Sequence, residues 1–194
     1  MLKIPLFPLE LILLPYESLP LHIFEPRYKH MVKDAIENNI TFGIVLHEKR
    51  GVYSKGCSVK ITEVFQAYPN GEYDIMVQGV NCFDIIKTDL DGDTVIGEIE
   101  YIHLEKESDS RLFDKIQDSY LQVLIRFGID SDMEIHMNKK ISYEFIQGIQ
   151  LPIMLKKELI GMGNEIERLR FINKIFNNLL TQPTNPENGY IPEA

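Results

Sequence analysis

The sequence predicts an α+β protein: a strand-rich first half that curls into a small antiparallel β-barrel with one inserted helix, then a C-terminal four-helix bundle. Three observations predict it. Residues 1–107 hold short runs rich in β-branched and aromatic residues, punctuated by the turn pairs Asn70-Gly71 and Asp91-Gly92. One apolar stripe of helical spacing, Tyr28, Met31, Val32, Ala35 and Ile36, interrupts those runs. Beyond residue 107 the apolar period changes from about 2 to about 3.6. The expected organisation is a barrel over 1–107, a bundle over 108–180 and a mobile tail over 181–194.

Each element has a local reason. Pro5, Pro8, Pro15 and Pro20 remove backbone donors and cut the start of the chain into short extended pieces at edges and turns. Leu9–Leu14 is a continuous apolar run closed by Pro15, which suits a buried strand. Pro26 fits the first turn of a helix, where a missing N–H costs nothing, and Asn38-Asn39 fits its end. Thr41–Leu46 reads as a strand and the polar stretch His47–Lys55 as a loop. Val59–Tyr68 and Glu72–Val77 flank Pro69-Asn70-Gly71 as one hairpin; Val80–Thr88 and Thr94–Leu104 flank Asp89–Asp93 as another.

In the helical half, Ser110 fits a cap for a helix burying Phe113, Ile116, Tyr120, Val123, Leu124 and Phe127, with Gly128 as its stop. Ser142 fits the cap of a shorter helix through Gly148, and Pro152 opens another that ends at Gly161. Asn164 and Glu167 have capping-box spacing ahead of a helix burying Ile166, Leu169, Ile172, Phe176 and Leu179.

Composition narrows the function. The chain has 194 residues and a net charge of −9. Residues 1–107 carry 10 basic and 17 acidic groups, so seven of those charges fall there, which argues against a surface that tracks phosphates. Cys57 and Cys82 lie outside any CxxC pair and are expected to be buried reduced thiols. Glu10 and the prolines break the early apolar run, and no stretch has the length of a membrane span, so neither a signal peptide nor a membrane helix is expected; a cytoplasmic location follows. His22 and Glu25 share HxxE spacing, which serves a metal on a helix. In an extended stretch, alternation turns them to opposite sides, and no metal or cofactor is expected.

The order Ile4-Pro5-Leu6-Phe7-Pro8-Leu9, Leu14-Pro15, Leu19-Pro20-Leu21-His22-Ile23-Phe24-Glu25-Pro26-Arg27-Tyr28 and Phe42-Gly43-Ile44-Val45-Leu46 resembles the N-terminal substrate-binding domain of Lon-type ATP-dependent proteases, in its stand-alone form. Gly56, Asn70-Gly71 and Val77-Gln78-Gly79 extend the resemblance. Leu151-Pro152, Lys156–Leu159 and Glu167-Arg168-Leu169 carry it more loosely into the helical half. Cereblon, a ubiquitin-ligase substrate receptor, carries a related module. One departure is Gly79-Val80-Asn81-Cys82-Phe83, where many relatives show Gly-x-x-Arg-Phe.

The resemblance implies a PUA-like barrel backed by helices, and a non-enzymatic module that holds unfolded or degron-bearing polypeptides, alone or for a protease or adaptor complex. No GxxxxGK[ST] run occurs and no segment resembles a serine–lysine peptidase, so hydrolysis of ATP or peptides is not expected. Candidate polypeptide-binding residues are Phe24, Glu25, Arg27 and Tyr28. Aromatic anchors beside an arginine are the usual makings of a hot spot. For Glu25 and Arg27 the alternative is a helix start and a solvent face; for Tyr28 it is the core. The expected grip is a barrel edge that adds a strand or a cleft between barrel and bundle. The loop residues Lys49, Arg50, Tyr53 and Lys55 form a local basic-aromatic patch. The rival readings are a PUA-like RNA-binding module and an enzyme of unrecognised type, which needs a closed polar pocket with a perturbed titratable group.

Overall fold

The computed structural model describes residues 2–105, 109–128 and 136–181. The expected tail falls almost wholly outside them. The chain divides into two compact units: Met1–Ile102 with Pro152–Gly161, and His103–Leu151 with Met162–Ala194.

The first unit is built on a six-stranded sheet. Its strands are β1 (Leu2–Leu9), β2 (Ser18–Ile23), β3 (Phe42–Glu48), β4 (Gly51–Ala67), β5 (Tyr73–Asp91) and β6 (Thr94–Tyr101), with helix α1 (Pro26–Asn38) between β2 and β3. The order is β2-β5-β4-β3-β1-β6, and β6 also pairs with β5. Pairing therefore runs from β5 through β4, β3, β1 and β6 back to β5, with β2 added outside. The sheet is mixed rather than wholly antiparallel, because β1 and β3 run parallel from Leu6↔Gly43 to Leu9↔Leu46. The intervening β2 and α1 supply the long crossover a parallel pair needs.

Several sequence expectations shift. The first strand is Leu2–Leu9, not Leu9–Leu14. Ile12, Leu13 and Leu14 are buried, but as irregular chain. Pro5 pairs only with β6 and Pro8 only with β3, so each proline has one edge free of a partner strand. The stretch His47–Lys55 is a hairpin rather than a loop, with His47↔Val52 and Glu48↔Gly51 in register. The two strands expected on either side of residue 79 are one strand, β5, which bends at a bulge between Gly79 and Asn81. Gly79 is required there: a Cβ would lie 2.3 Å from the Leu14 carbonyl oxygen.

The core follows the stripes. Tyr28, Met31, Val32 and Ala35 of α1 cover Phe42, Ile44, Val59, Ile75 and Val77, while Ile4, Leu6, Val45, Phe83 and Ile99 form a second cluster. Each large side chain so buried contributes about 1.5–3 kcal/mol. Helix α3 (Ile153–Ile160) groups with the strands, which corrects its expected place among the closing helices. Lys156 explains this. Its ammonium donates to both Glu17 carboxylate oxygens at 2.7 and 2.9 Å and to the Ile12 carbonyl at 3.2 Å.

The second unit packs α2 (Ser110–Arg126) against α4 (Glu165–Thr181), with a 3-10 helix at Ser142–Ile146. Asp109, one residue before the expected Ser110, caps α2 by accepting from Leu112 N–H at 3.2 Å. Ser142 lies inside the 3-10 helix and gives its side chain to Glu165. Asn164 caps α4 through Glu167 N–H at 3.1 Å. Of the four expected helices, then, one is a 3-10 turn and one belongs to the other unit.

Candidate binding surfaces on the strand unit

The turn from β2 into α1 sets out the residues singled out by the sequence. Ile23 is buried, Phe24 swings outward at 58% exposure, and Glu25 takes the extended N-cap conformation ahead of Pro26. Glu25 makes no cap bond with its side chain; it accepts instead from Arg27 Nε and Nη2 at 3.0 and 2.7 Å. That hydrogen bond raises the Arg27 pKa. The guanidinium also lies 4.7 Å from the centre of the Tyr28 ring. Tyr28 itself is buried against Phe7, ring centres 4.2 Å apart, and burial raises its phenol pKa. Glu25, Pro26 and Arg27 line one wall of an open groove of 410 Å³, with Leu90, Gly92 and Asp93 of the β5–β6 turn opposite.

Phe24 belongs to a larger exposed cluster that the sequence did not reveal. It stacks on His22 at 5.9 Å, and His22 meets the Tyr68 ring edge-on at 6.2 Å. His22 Nδ1 lies 2.7 Å from Asp74 Oδ1, and Tyr68 donates to Asp74 Oδ2 at 2.6 Å. The Tyr68 hydroxyl, then His22, lowers the Asp74 pKa, while the same bond raises that of Tyr68. Glu72 is lowered by the Asn70 side chain first and by Lys29 next. The cluster forms because β2 pairs with β5 in the register His22↔Asp74, a contact across 52 residues of sequence. His22 and Glu25 are not brought together as ligands. No group of three or more His, Cys, Asp or Glu among the described residues is placed to hold a metal ion.

A second surface lies along β4. Strand β3 leaves β4 at Phe42↔Val59, and no strand among those described pairs with the outer edge beyond that point. Lys60 to Ala67 are paired only with β5. On the face shared with the buried Ile75 and Val77, Ile61 and Val64 continue the apolar surface outward. The end of α1 leaves this flank uncovered. Ala35, Ile36, Asn39, Ile40, Ile61 and Val64 line a groove of 230 Å³, in which Ile36, Ile40 and Val64 are exposed. Bulges at Thr62 and Phe65 break the regular ladder with β5.

The basic-aromatic patch is neutralised in part, with Lys49 and Arg50 exposed. Lys55 pairs with Asp84, and Tyr53 lies 4.6 Å beneath the Lys157 ammonium, which Glu48 holds at 2.6 Å. No helix among the described residues is long and apolar enough to cross a membrane.

An unpaired edge of β4, an apolar groove beside it and exposed aromatic side chains therefore stand together on the strand unit. The model of the ATP-dependent protease La (LON) substrate-binding domain matches residues 3–175, and the chain belongs to that family. Its fold is similar to that of a Lon N-terminal domain protein from Xanthomonas campestris, with a TM-score of 0.66 at 20% identity, covering 94% of this chain and 100% of that one. It is likewise similar to the N-terminal domain of the Mycobacterium avium complex Lon protease, with a TM-score of 0.73 at 16% identity, covering 91% and 98%. The protein is a mixed α+β substrate-binding domain, and the domain that defines the family is non-catalytic.

Proposed function

We propose that this protein is a non-enzymatic polypeptide-binding module that holds unfolded or degron-bearing chains by adding them, as a short extended segment, to the outer edge of β4. The observation that carries the reading is the open edge beyond Val59 beside the groove of Ile36, Ile40 and Val64. An unfolded chain offers what that surface lacks: alternating backbone donors and acceptors at strand pitch, with apolar side chains on one face. The bulges and the charges of Lys60 and Glu63 limit regular pairing, which favours a short guest over edge-to-edge association of two copies. The return of strand pairing to β5 supports reading the sheet as a PUA-like barrel. Phe24 and the Glu25–Arg27 pair serve as a further contact, through the exposed ring and the outward guanidinium. Tyr28 supports that turn from the core. Delivery to a protease or adaptor complex is the role such binding would serve. A net charge of −9, with Lys55 and Lys157 paired to carboxylates, weighs against RNA as the partner.

The test is equilibrium binding to one model protein in unfolded and folded form, at two salt concentrations, with RNA as a parallel ligand. Preference for the unfolded form, little changed by salt, is expected. Ile40→Glu with Val64→Glu should weaken it at least about tenfold, the equivalent of about 1.4 kcal/mol. Equal affinity for both forms, or strongly salt-dependent binding to RNA alone, would overturn the proposal.

A further inference from the structure

Cys57 and Cys82 are buried, and they sit directly opposite each other on β4 and β5. The geometry of that pairing can be read from the backbone. In an antiparallel ladder a residue's N–H and C=O face the same edge, and alternate residues face opposite edges. The Cys82 carbonyl accepts from Ile102 N–H at 2.9 Å, beyond the end of β6, so the backbone of Cys82 faces away from β4. Cys57↔Cys82 is therefore a non-hydrogen-bonded pair, the kind in which the two Cα atoms approach to about 4.5 Å and the side chains lie closest. That separation falls inside the span of about 4.4–6.8 Å that a disulfide bridges. Both side chains project from the same face of the sheet, as directly opposed partners of the ladder. Gly79 leaves the space in which Cys57 Sγ sits; a Cβ there would come within 3.1 Å of it. The register is regular from Lys55↔Asp84 to Ser58↔Asn81, and the bulge begins only beyond it.

We propose that Cys57 and Cys82 are a disulfide site, a pair that oxidation joins into a covalent clamp at the base of the β4–β5 hairpin. The clamp closes the segment from Ser58 to Asn81, which carries the open edge of β4 and the Tyr68–Asp74 tip. The chemistry is thiol–disulfide exchange with a small disulfide such as oxidised glutathione. One cysteine, as its thiolate, attacks a glutathione sulfur and releases one glutathione thiol. The second attacks the mixed disulfide, forms the Cys57–Cys82 bond and releases the other. The protein loses two protons and two electrons, and oxidised glutathione is reduced to two thiols. Burial, and then the neighbouring Cys82 thiol, pushes the Cys57 thiol well above its ordinary pKa. Exchange is accordingly slow at neutral pH and passes through local opening of the two strands. A reducing compartment keeps the dithiol, and an oxidising shift sets the clamp.

The experiment equilibrates the whole chain in glutathione redox buffers of graded ratio, native and again in urea above its unfolding transition. Alkylation after acid quenching, then mass spectrometry, measures the intramolecular disulfide. The native chain should favour the Cys57–Cys82 bond at least about tenfold more than the unfolded chain, because the fold holds the sulfurs in place; that ratio also requires the disulfide to raise the melting temperature. A ratio of one or below, or mixed disulfides with glutathione as the end product in native buffer, would overturn the proposal.

Discussion

The two units differ in where they place charge, and both leave apolar side chains exposed, Ile125 and Met137 in the helical unit among them. The helical unit hides charge. Glu165 is 7% exposed and Arg168 2%, yet both are fully engaged. Glu165 accepts from Ser142 N–H at 2.6 Å, from the Ser142 hydroxyl at 2.8 Å and from Arg168 Nη2 at 2.5 Å. Arg168 also donates to Ser142 Oγ at 3.0 Å and to the Met162 carbonyl, with its guanidinium 4.8 Å from the Tyr143 ring centre. Tyr120, buried in the same unit, has its phenol pushed up to about 12 by desolvation and meets His136 Nδ1 at 2.7 Å. The strand unit keeps an almost wholly apolar interior and leaves Phe24, Ile36, Ile40, Val64 and Leu90 in solvent. Buried charge, satisfied on every side, fixes how one turn meets one helix; exposed apolar surface beside an open strand edge has no use within its own unit. The first arrangement specifies structure, and the second, beside the open edge of β4, is where the function proposed above docks its guest chain.

Breaking the buried pair should have the largest effect. Arg168→Ala leaves the Glu165 carboxylate uncompensated and should cost about 3–5 kcal/mol in urea unfolding, whereas Arg168→Met with Glu165→Met should cost much less. If the single and double changes cost the same, the pair is not acting as a unit. In the strand unit, Gly79→Ala drives a Cβ against the backbone of Leu14 and should cost about 1–3 kcal/mol, read as a lower melting temperature. Lys156→Met strands Glu17, which also accepts from Leu14 N–H at 2.8 Å, and should cost about 1.5–3 kcal/mol.

The smallest effect is a pH dependence. The Asp74 carboxyl has its folded pKa lowered, so below the ordinary carboxylate range the unfolded chain binds the proton first. The stabilisation is present above the unfolded pKa and fades as pH falls through the folded one. Asp74→Asn should flatten the fall of melting temperature with acidification below about pH 4. A slope unchanged by Asp74→Asn would remove that carboxylate from the account.

Helix α1 was legible because Pro26, the apolar stripe and Asn39 all point the same way, and Asn39 does take the left-handed conformation that ends the helix. The two hairpin turns were legible for the same reason, with Gly71 and Gly92 both at positive φ. The run Leu9–Leu14 misled because burial of a continuous apolar run does not require a strand. The split of β5 misled because Gly79 looks like a breaker when its role is to let Leu14 approach. Arg168 enters the sequence reading only within Glu167-Arg168-Leu169, and its burial is not anticipated there although it precedes Ile172 and Phe176 at intervals of four, on the buried face of α4. The His22–Tyr68–Asp74 cluster and the open edge of β4 arise from pairing between distant strands, and local sequence carries no signal for either.

Amide hydrogen exchange along β4, with and without a saturating unfolded model protein, shows whether a guest chain pairs with the open edge. The amides of Lys60–Gln66 facing away from β5 should slow on addition of the unfolded chain, and Ile40→Glu with Val64→Glu should abolish the change. Binding that leaves those amides exchanging at their free rate, with protection elsewhere, would contradict that pairing.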